Sequence, residues 1–474
     1  MGVASTFFGL ETGVRGLLTH QQALEVTSQN MTNASTPGYS RQRAEIVTTE
    51  PFSEPSLNRV KVAGQMGTGV EVSEVIRIRD QIIDQQIQQE TTTSGYWNAR
   101  QDFLGQAEKI INEPADSNIR SEIDAYWVAL QELVKTPDSQ PTRSTLRQTA
   151  LTLTQDIRHN YDSLKTLHDD INDKIVSTVG EINRYAEQIA HLNKQIGKVT
   201  ALGDNANDLM DKRDALVEEL SKDTNVSVSY DEVNKITVQI NGIPLVSGED
   251  ANFIKAIEEN NKGNARLEWT IPKHQPVAPT NGSLAGLLQL RDQDMPKMIH
   301  DIDTVANTLI SETNRIHKQG FGLDKSTGND FFSGSGAADI DVSKLIQDPN
   351  NGLSKIAASS SVIGLPGNNE NSQKMADIQN QLLMMEGTTT MDGYWGNMVG
   401  DLAERSLAAQ TKTAHQTTLI TSMENNRQSV SGVNLDEETA NMVKFQHGYN
   451  AAAKVISTMD AMLDVIINDL KINP

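Results

Sequence analysis

The side chains with the most obvious potential for chemistry are three aspartates on one predicted helix. Asp208, Asp211 and Asp214 recur at every third position, which stacks their carboxylates along one helix side, as a site for a hard cation would require. Lys212 and Arg213 lie between them, however, and interleaved opposite charges are typical of a salt-bridged, solvent-exposed face. The pattern therefore favours a solvated ion-pair face over a metal site.

Other candidate motifs are incomplete. Asp324 and Asp330 bracket a segment that is partly similar to a calcium loop, but an asparagine stands where the turn glycine belongs and no glutamate closes the loop. Ser333 has part of a nucleophile motif around it, in a predicted loop. His317 and His447 lie on predicted helices without a visible base or nucleophile nearby. We predict no catalytic, cofactor-binding or metal-binding residues.

The composition excludes several classes of partner. The chain has 474 residues, with 41 lysines and arginines against 62 aspartates and glutamates, a formal net charge of −21. Such a field repels phosphate backbones and anionic membrane surfaces, so we predict no nucleic-acid partner. No stretch approaches the roughly 18 consecutive apolar residues of a spanning helix, so we predict no membrane insertion. The absence of cysteine removes disulfides and thiol chemistry.

The clearest helical patterns lie at the two chain ends. Near the N-terminus apolar residues recur at alternating steps of three and four, and after Gly432 a heptad pattern covers about 50 Å of helix, with Glu438 as the one polar residue in its d row. A seam this long needs a partner, either the other terminal helix or another subunit, and we favour neighbouring subunits. The predicted axial packing seam comprises Phe7, Leu10, Val14, Leu17, Leu24, Met31, Leu435, Met442, Phe445, Tyr449, Ile456, Met459, Leu463, Ile466 and Leu470.

The patterns between the chain ends predict long helices and a smaller β-rich region. Helical period holds from Arg79 to about Asp223, with breaks near Pro114 and from Thr136 to Pro141. We expect a mainly α fold with a smaller β-rich domain (α+β), elongated and multi-domain, with terminal coiled-coil helices and a helical bundle domain. The predicted divisions are 1–40 with 432–474 as a terminal coiled-coil axial domain, 41–223 with 280–319 and 375–431 as a long-helix domain with an extended arm, and 224–279 with 320–374 as a β-rich or irregular outer domain.

A resemblance to a known family begins where the first helix should stop. The motif resembles the N-terminal signature of flagellar axial proteins, and its Pro-Gly-Tyr-Ser-Arg-Gln continuation resembles the hook-associated protein 1 (FlgK) family in particular. Further similarities at 207–214 and 445–467 extend it over nearly the whole chain. From the residues alone, short polar side chains beside a Pro-Gly bend favour a structural role. The signature comprises Asn30, Asn33, Thr36, Pro37, Gly38, Tyr39, Ser40, Arg41 and Gln42.

The resemblance implies a structural subunit of the bacterial flagellum that forms the junction between hook and filament. It implies type III export to the cell exterior, which agrees with the lack of a cleavable signal peptide in the first thirty residues. The implied partners are further copies of the chain in a ring-like homo-oligomer, the hook protein, the second hook–filament junction protein, an export chaperone and the type III export apparatus. No chemistry is implied.

Two other functions remain open on the residues alone. A secreted coiled-coil adhesin would use its β-rich middle as a binding domain, and the polar segment from Gly320 to Asn371 motivates that alternative. An enzyme would need a hydrolase centre in the outer region, which the absent cysteine and the isolated histidines do not favour.

Overall fold

The structure is a computed structural model, and it describes residues 7–51, 67–112, 119–258 and 263–465. Within these ranges the fold is mainly α-helical with small antiparallel sheets, which confirms the predicted fold class. The helices are α1 (Phe8–Asn33), α2 (Gln81–Asn112), α3 (Ile119–Lys135), α4 (Gln140–Thr200), α5 (Asn207–Asp223), α6 (Ser283–Gln289), α7 (Met295–His317), α8 (Lys344–Gln347), α9 (Glu370–Ala376), α10 (Met391–Ser431) and α11 (Leu435–Asp464).

The strands pair with near neighbours in the chain. β1 pairs with β2, β3 to β6 form a sheet in sequential order, β7 pairs with β8 and β9 pairs with β10, all antiparallel. The strands are β1 (Gln42–Thr48), β2 (Val70–Arg77), β3 (Ser227–Tyr230), β4 (Ile236–Ile240), β5 (Ile243–Ser247), β6 (Asp250–Ala251), β7 (Ile254–Glu258), β8 (Ala265–Trp269), β9 (Phe332–Ser333) and β10 (Asp341–Val342).

The chain forms two compact units. Unit 1 comprises Met1–Thr91, Ile182–Phe253 and Thr417–Pro474, and unit 2 comprises Thr92–Glu181 and Ile254–Gln416. The helices α2, α4 and α10 therefore contribute residues to both units. The three-part division predicted from the sequence stays a prediction.

Helix α4 lies in the region of predicted helical period and carries a long apolar seam. The break before it is confirmed, because α3 ends at Lys135 and α4 begins at Gln140, with Pro141 in the first turn where its missing N–H costs little. A turn at 201–206 separates α4 from α5, which the helical period did not reveal. The seam residues that expose 3% or less of their surface are Leu153, Ile157, Leu164, Leu167, Ile171, Ile175, Val179, Ile182, Ile189 and Ile196.

The sheet of β3 to β6 is fastened to α4 within unit 1. Asn193 donates from Nδ2 to Ile236 O (2.8 Å) and Gly248 O (2.7 Å), and its Oδ1 accepts from Ile236 N. Asn241 and Gly242 have positive φ values of 49° and 82° in the turn between β4 and β5, as an Asn-Gly hairpin requires. The predicted β-rich character from residue 224 is confirmed.

Unit 2 has an aromatic core around α3. Tyr126 and Trp127 are buried on α3, and the Tyr126 ring lies 5.7 Å from the ring of Phe332 and 6.1 Å from that of Phe331. The segment 375–431, which the sequence assigns to the long-helix domain, is interrupted, because α9 ends at Ala376 and α10 begins only at Met391. The break predicted near Pro114 lies outside the described residues.

Candidate functional site

A tight bend joins α1 to β1 in unit 1. Pro37 cannot continue a helix, and Gly38 has a left-handed φ of +78°, which glycine adopts without steric cost. Hydrogen bonds from Thr36 N to Asn33 O (2.9 Å) and from Tyr39 N to Thr36 O (3.2 Å) close the bend. The chain thereby reverses direction and brings β1 back beside α1.

Asn30 is buried on α1 and acts as a substitute strand partner for β1. Its Nδ2 donates to Gln42 O (2.8 Å), while its Oδ1 accepts from Gln42 N (2.9 Å) and from the Tyr39 hydroxyl (2.8 Å). Burial, together with the surrounding carboxylates, raises the pKa of the Tyr39 hydroxyl, which therefore stays a hydrogen-bond donor. These polar side chains satisfy backbone groups after the helix end, which supports the structural role favoured from the sequence.

Glu438 connects α11 to the same bend. Its carboxylate is buried and accepts from Arg41 Nε (2.8 Å) and from Asn30 Nδ2 (3.2 Å). Arg41 also donates from its backbone N to Ser431 O (3.0 Å) and pairs with Glu437 at 2.8 Å. A buried carboxylate is costly unless it is paired, so these contacts account for the polar residue in an otherwise apolar d row.

Asp211 and Asp214 on α5 hold the other side of the bend. Asp211 accepts from Ser40 N (2.9 Å) and Ser40 Oγ (2.8 Å), and Arg77 contacts Asp211 at 2.7 Å and Asp214 at 2.9 Å. Arg79 adds a contact to Asp214 at 2.8 Å. The prediction of ion pairing along this helix side is confirmed, but the prediction of solvent exposure is wrong for Asp211 and Arg213, which are both buried. Ser40 and Arg77 contact the Asp211 carboxylate.

Arg79 of this cluster is held in the charged state. Burial opposes the charge of Arg79, but its hydrogen bond to Asp84 and the charges of the nearby aspartates outweigh burial, so the pKa of its guanidinium is raised. Every ionic group here is engaged by an oppositely charged or hydrogen-bonding neighbour, an arrangement that positions backbone rather than activating a nucleophile. We call this cluster the joint, and it comprises Asn30, Tyr39, Ser40, Arg41, Gln42, Arg77, Arg79, Asp211, Asp214 and Glu438.

The helices α1 and α11 form an antiparallel pair above the joint. The face of α1 toward α11 consists of small residues: a Cβ added to Gly9 would lie 2.5 Å from Met459 Cε, one on Gly13 2.9 Å from Ile456 Cγ1, and one on Gly16 3.6 Å from Ala452 Cβ. Farther along, His20 lies over Gly448 and 6.3 Å from the Phe445 ring. Glycine thus lets the large α11 side chains approach the α1 backbone closely.

The large apolar residues of α1 lie one position away from this small-residue face. Val14 and Leu18 are exposed by 40% and 57% and Phe7 by 60%, whereas Leu10, Leu17, Leu24 and Met31 are half-buried. On α11 Leu435 is exposed, and the half-buried seam residues are Met442, Phe445, Tyr449, Ile456, Met459 and Leu463. The predicted seam residues Ile466 and Leu470 lie outside the described residues.

The other sequence candidates make ordinary structural contacts. Asp324 Oδ1 accepts from Ser326 N (3.0 Å) and Ser326 Oγ (2.6 Å), which is a local turn. Ser333 lies in the short strand β9. In the part of the chain that the structure describes, no group of three or more His, Asp or Glu side chains could hold a metal ion. None of the helices in the described ranges is both long and apolar enough to cross a bilayer.

His317 is buried in unit 2, and His447 is exposed on α11. The Nδ1 atom of His317 lies 2.8 Å from Asn329 O, and its Nε2 accepts from Ala357 N at 2.9 Å. Burial lowers the pKa of His317 to about 4, so the ring is neutral and fixed in one tautomer at neutral pH. Its contacts stabilise the loops that cover α7.

Sequence reasoning gave no site role to three residues of the joint, Glu438, Arg77 and Arg79. Glu438 had a signal in the sequence, because it was the one polar residue in the d row. Arg79 had no such signal, since its partners on α5 are more than a hundred residues away in the chain. The signature residues that do not enter the joint, Asn33, Thr36, Pro37 and Gly38, line a groove beside it.

Comparison with known families identifies the class. Three family models match the chain: "Flagella basal body rod protein" at residues 10–39, "Flagellar hook-associated protein FlgK helical domain" at 104–332, and "Flagellar basal body rod FlgEFG protein C-terminal" at 424–470. The first and last matches coincide with the two helices that pair above the joint. The chain is therefore an axial structural protein of the bacterial flagellum.

More particularly, the chain belongs to the flagellar hook-associated protein 1 family. It is 30% identical to flagellar hook-associated protein 1 of Bacillus subtilis over 99% of each chain, and 26% identical to that of Escherichia coli over 97% of this chain and 99% of the relative. The fold resembles the flagellar hook junction protein FlgK of Burkholderia pseudomallei, with a TM-score of 0.62 at 15% identity over 73% of this chain and all of that one.

These matches confirm the resemblance seen in the sequence. The predicted function, a structural subunit of the junction between hook and filament on the exterior of the cell, is confirmed with it. The alternative of a secreted adhesin receives no support.

Proposed function

We propose that the chain forms a ring-like homo-oligomer in which the large apolar residues of α1 pack against neighbouring copies. The observation that carries this proposal is the exposure of Val14 and Leu18 on a helix whose small-residue face already packs on α11. An apolar stripe along an ordered helix is unfavourable in water and marks a surface that another chain covers. Contacts of this kind, repeated around an axis, close a ring.

The joint gives the helix pair a fixed attachment. Asn30, Arg41 and Glu438 connect both helices to the start of β1, and Asp211 connects the same segment to α5. Because these groups are buried and mutually paired, a change in the direction of the helix pair would break several hydrogen bonds at once. We infer that force on the terminal helices is transmitted through the joint to the rest of unit 1.

The proposed partners follow from the family. We propose contacts with the hook protein on one side and the second hook–filament junction protein on the other, after export with a chaperone through the type III apparatus. The rod-protein matches at both chain ends support packing with other axial proteins. We also propose that the chain has no enzymatic activity, which the structural role of its relatives and the paired state of the joint support.

The test replaces Val14 and Leu18 together by aspartate in cells that lack their own copy of the protein. Two charges in the stripe should prevent packing between copies while leaving the fold intact, because both side chains are exposed. We expect exported protein and shed flagellin in the medium, with bare hooks in electron micrographs. Leu382→Asp, at a 56% exposed position of unit 2, is the matched control and should give normal filaments. Normal filaments with V14D/L18D would contradict the proposal.

A further inference from the structure

We propose that a rigid loop in unit 2 of one copy, residues 359–368, docks into a groove in unit 1 of the next copy. The inference rests on the proposed assembly of copies into a ring and adds a second contact to it, remote from the terminal helices. The loop presents an aliphatic tip, and the groove has an apolar lining with charged side chains at its rim.

The groove has a volume of about 890 Å³. One wall is the bend of the signature, with Thr36, Pro37 and Gly38 exposed, and the other walls are the end of α4 and the start of α5. Its apolar lining includes Pro37, Leu192, Ala215 and Leu216. The docking therefore gives a role to Thr36, Pro37 and Gly38, the exposed signature residues that do not belong to the joint.

Two of the charged side chains that line the groove make no ion pair within the described residues. Lys212 lines the groove, is exposed, and makes no ion pair or hydrogen bond among the described residues. Glu187 on α4 lines the opposite wall and is likewise without an ion pair in the described ranges. Both are available to an incoming chain of complementary charge.

The loop holds its tip away from its own core. Ile363 is 96% exposed and Val362 40% exposed. Asn368 fixes the base of the loop, since its Oδ1 accepts from Ser360 N (2.9 Å) and its backbone N donates to Gly364 O (2.9 Å). A preformed loop loses little conformational entropy on docking, so an aliphatic side chain on its tip can act as an anchor.

The charges beside the loop complement those of the groove. Glu370 follows the loop at the start of α9, where its carboxylate accepts a hydrogen bond from Ser360 Oγ, and Lys374 lies one turn further along. Glu370 and Lys374 both follow the loop on α9. The exposed charged side chains that line the groove are Arg184, Glu187, Asp208 and Lys212. The docking places Glu370 of one copy in an ion pair with Lys212 of the next.

A second copy of this chain is the occupant that fits these features. Loop and groove are different surfaces of the same chain, so a contact between them is head-to-tail and leaves each copy with one loop and one groove for its two neighbours. Contacts of this type can repeat from copy to copy around a ring, as the proposed contacts of α1 do.

Cysteine cross-linking tests the contact directly, because the natural chain has no cysteine. The variant Q188C/V362C places one thiol on the exposed rim of the groove and one beside Ile363, which stays intact. Flagella isolated from cells that carry only this variant are treated with a short bis-maleimide. We expect a ladder of multimers, several-fold stronger than for the control Q188C/L382C, and loss of the ladder when Ile363→Asp is added.

Flagella that assemble without this ladder would overturn the docking while leaving the proposed assembly through α1 intact. If the cysteine variant does not assemble, the docking is tested instead by exchanging the charges of Lys212 and Glu370. We expect K212E and E370K each to reduce the number of filaments per cell and the combination K212E/E370K to restore it. A combined variant no better than either single change would overturn the docking, whereas loss of the α1 contact is scored separately with V14D/L18D.

Discussion

Helices α4 and α1 carry the same kind of apolar pattern and use it differently. In α4 the ten seam residues that the structure buries expose 3% or less of their surface, because other parts of the same chain pack on them. In α1 the corresponding positions at Val14 and Phe7 are exposed, and the face that packs on α11 is built from glycine. The pattern therefore identifies an apolar stripe but not the chain that covers it.

The glycine face of α1 explains why its apolar pattern looks like that of α4 although its large apolar side chains stay exposed. Hydropathy gives little weight to Gly9, Gly13 and Gly16, yet their lack of a side chain allows Met459 and Ile456 to reach the α1 backbone. Close packing against backbone gains dispersion contacts without a large side chain on the receiving helix. A helix with one glycine face and one adjacent apolar face can therefore pair inside its chain and still keep a surface for neighbours.

The largest expected difference between the two helices is in how much stability is lost when an apolar side chain is truncated to alanine. Ile175→Ala in α4 should lower the free energy of unfolding of unit 2 by about 2–5 kcal/mol, because it removes a fully buried side chain and leaves a cavity. Val14→Ala in α1 should lower that of unit 1 by less than about 0.5 kcal/mol, because the side chain is already exposed. Urea unfolding followed by hydrogen exchange in each unit measures both. Equal losses would remove the distinction.

The pH dependence of stability should distinguish the buried core from the terminal pair. The folded pKa of His317 is about 4 against 6.5 for an ordinary histidine, so the unfolded chain binds the extra proton first as pH falls. Stability is fully present above pH 6.5 and is lost as pH falls toward 4, and at about 1.36 kcal/mol for each pKa unit the loss is about 3 kcal/mol.

The measurement is urea unfolding of unit 2 between pH 7 and pH 4, with His317→Gln as the control that should flatten the slope. Burial also lowers the pKa of His20 in the terminal pair, but that ring is only partly buried, so we expect a smaller dependence there. A slope that survives in H317Q would assign the effect to other groups.

Replacing glycine by alanine should change stability in opposite directions at Gly180 and Gly13. Gly180→Ala in α4 meets no atom within 4 Å, so it should stabilise unit 2 by about 0.5–1 kcal/mol through helix propensity. Gly13→Ala in α1 places a Cβ 2.9 Å from Ile456 Cγ1, and overpacking should cost about 1–3 kcal/mol. Hydrogen exchange of α1 and α4 measures both. A stabilising Gly13→Ala would mean that α11 does not pack closely on α1.

Much of the fold could be predicted because its signals are local. The stop of α1 before Pro37, the break between α3 and α4, and the Asn-Gly turn at 241 and 242 all depend on neighbouring residues. The interruption between α9 and α10 was missed although Gly387 and the three threonines after it are unfavourable in a helix, because apolar residues on both sides continue the helical pattern. For the candidate site, the sequence indicated the signature residues but not that Asn30 and Glu438 meet.

The sequence by itself determined the helical stripes, the bends, the lack of thiol chemistry and the family, since each is written in residue type and spacing along the chain. Only the tertiary structure decided that Asp211 is buried against Ser40, that the signature pairs with Glu438, and that glycine rather than leucine faces α11. Periodicity defines the faces of a helix, whereas burial depends on contacts between residues that are hundreds of positions apart, and these contacts have no local signature.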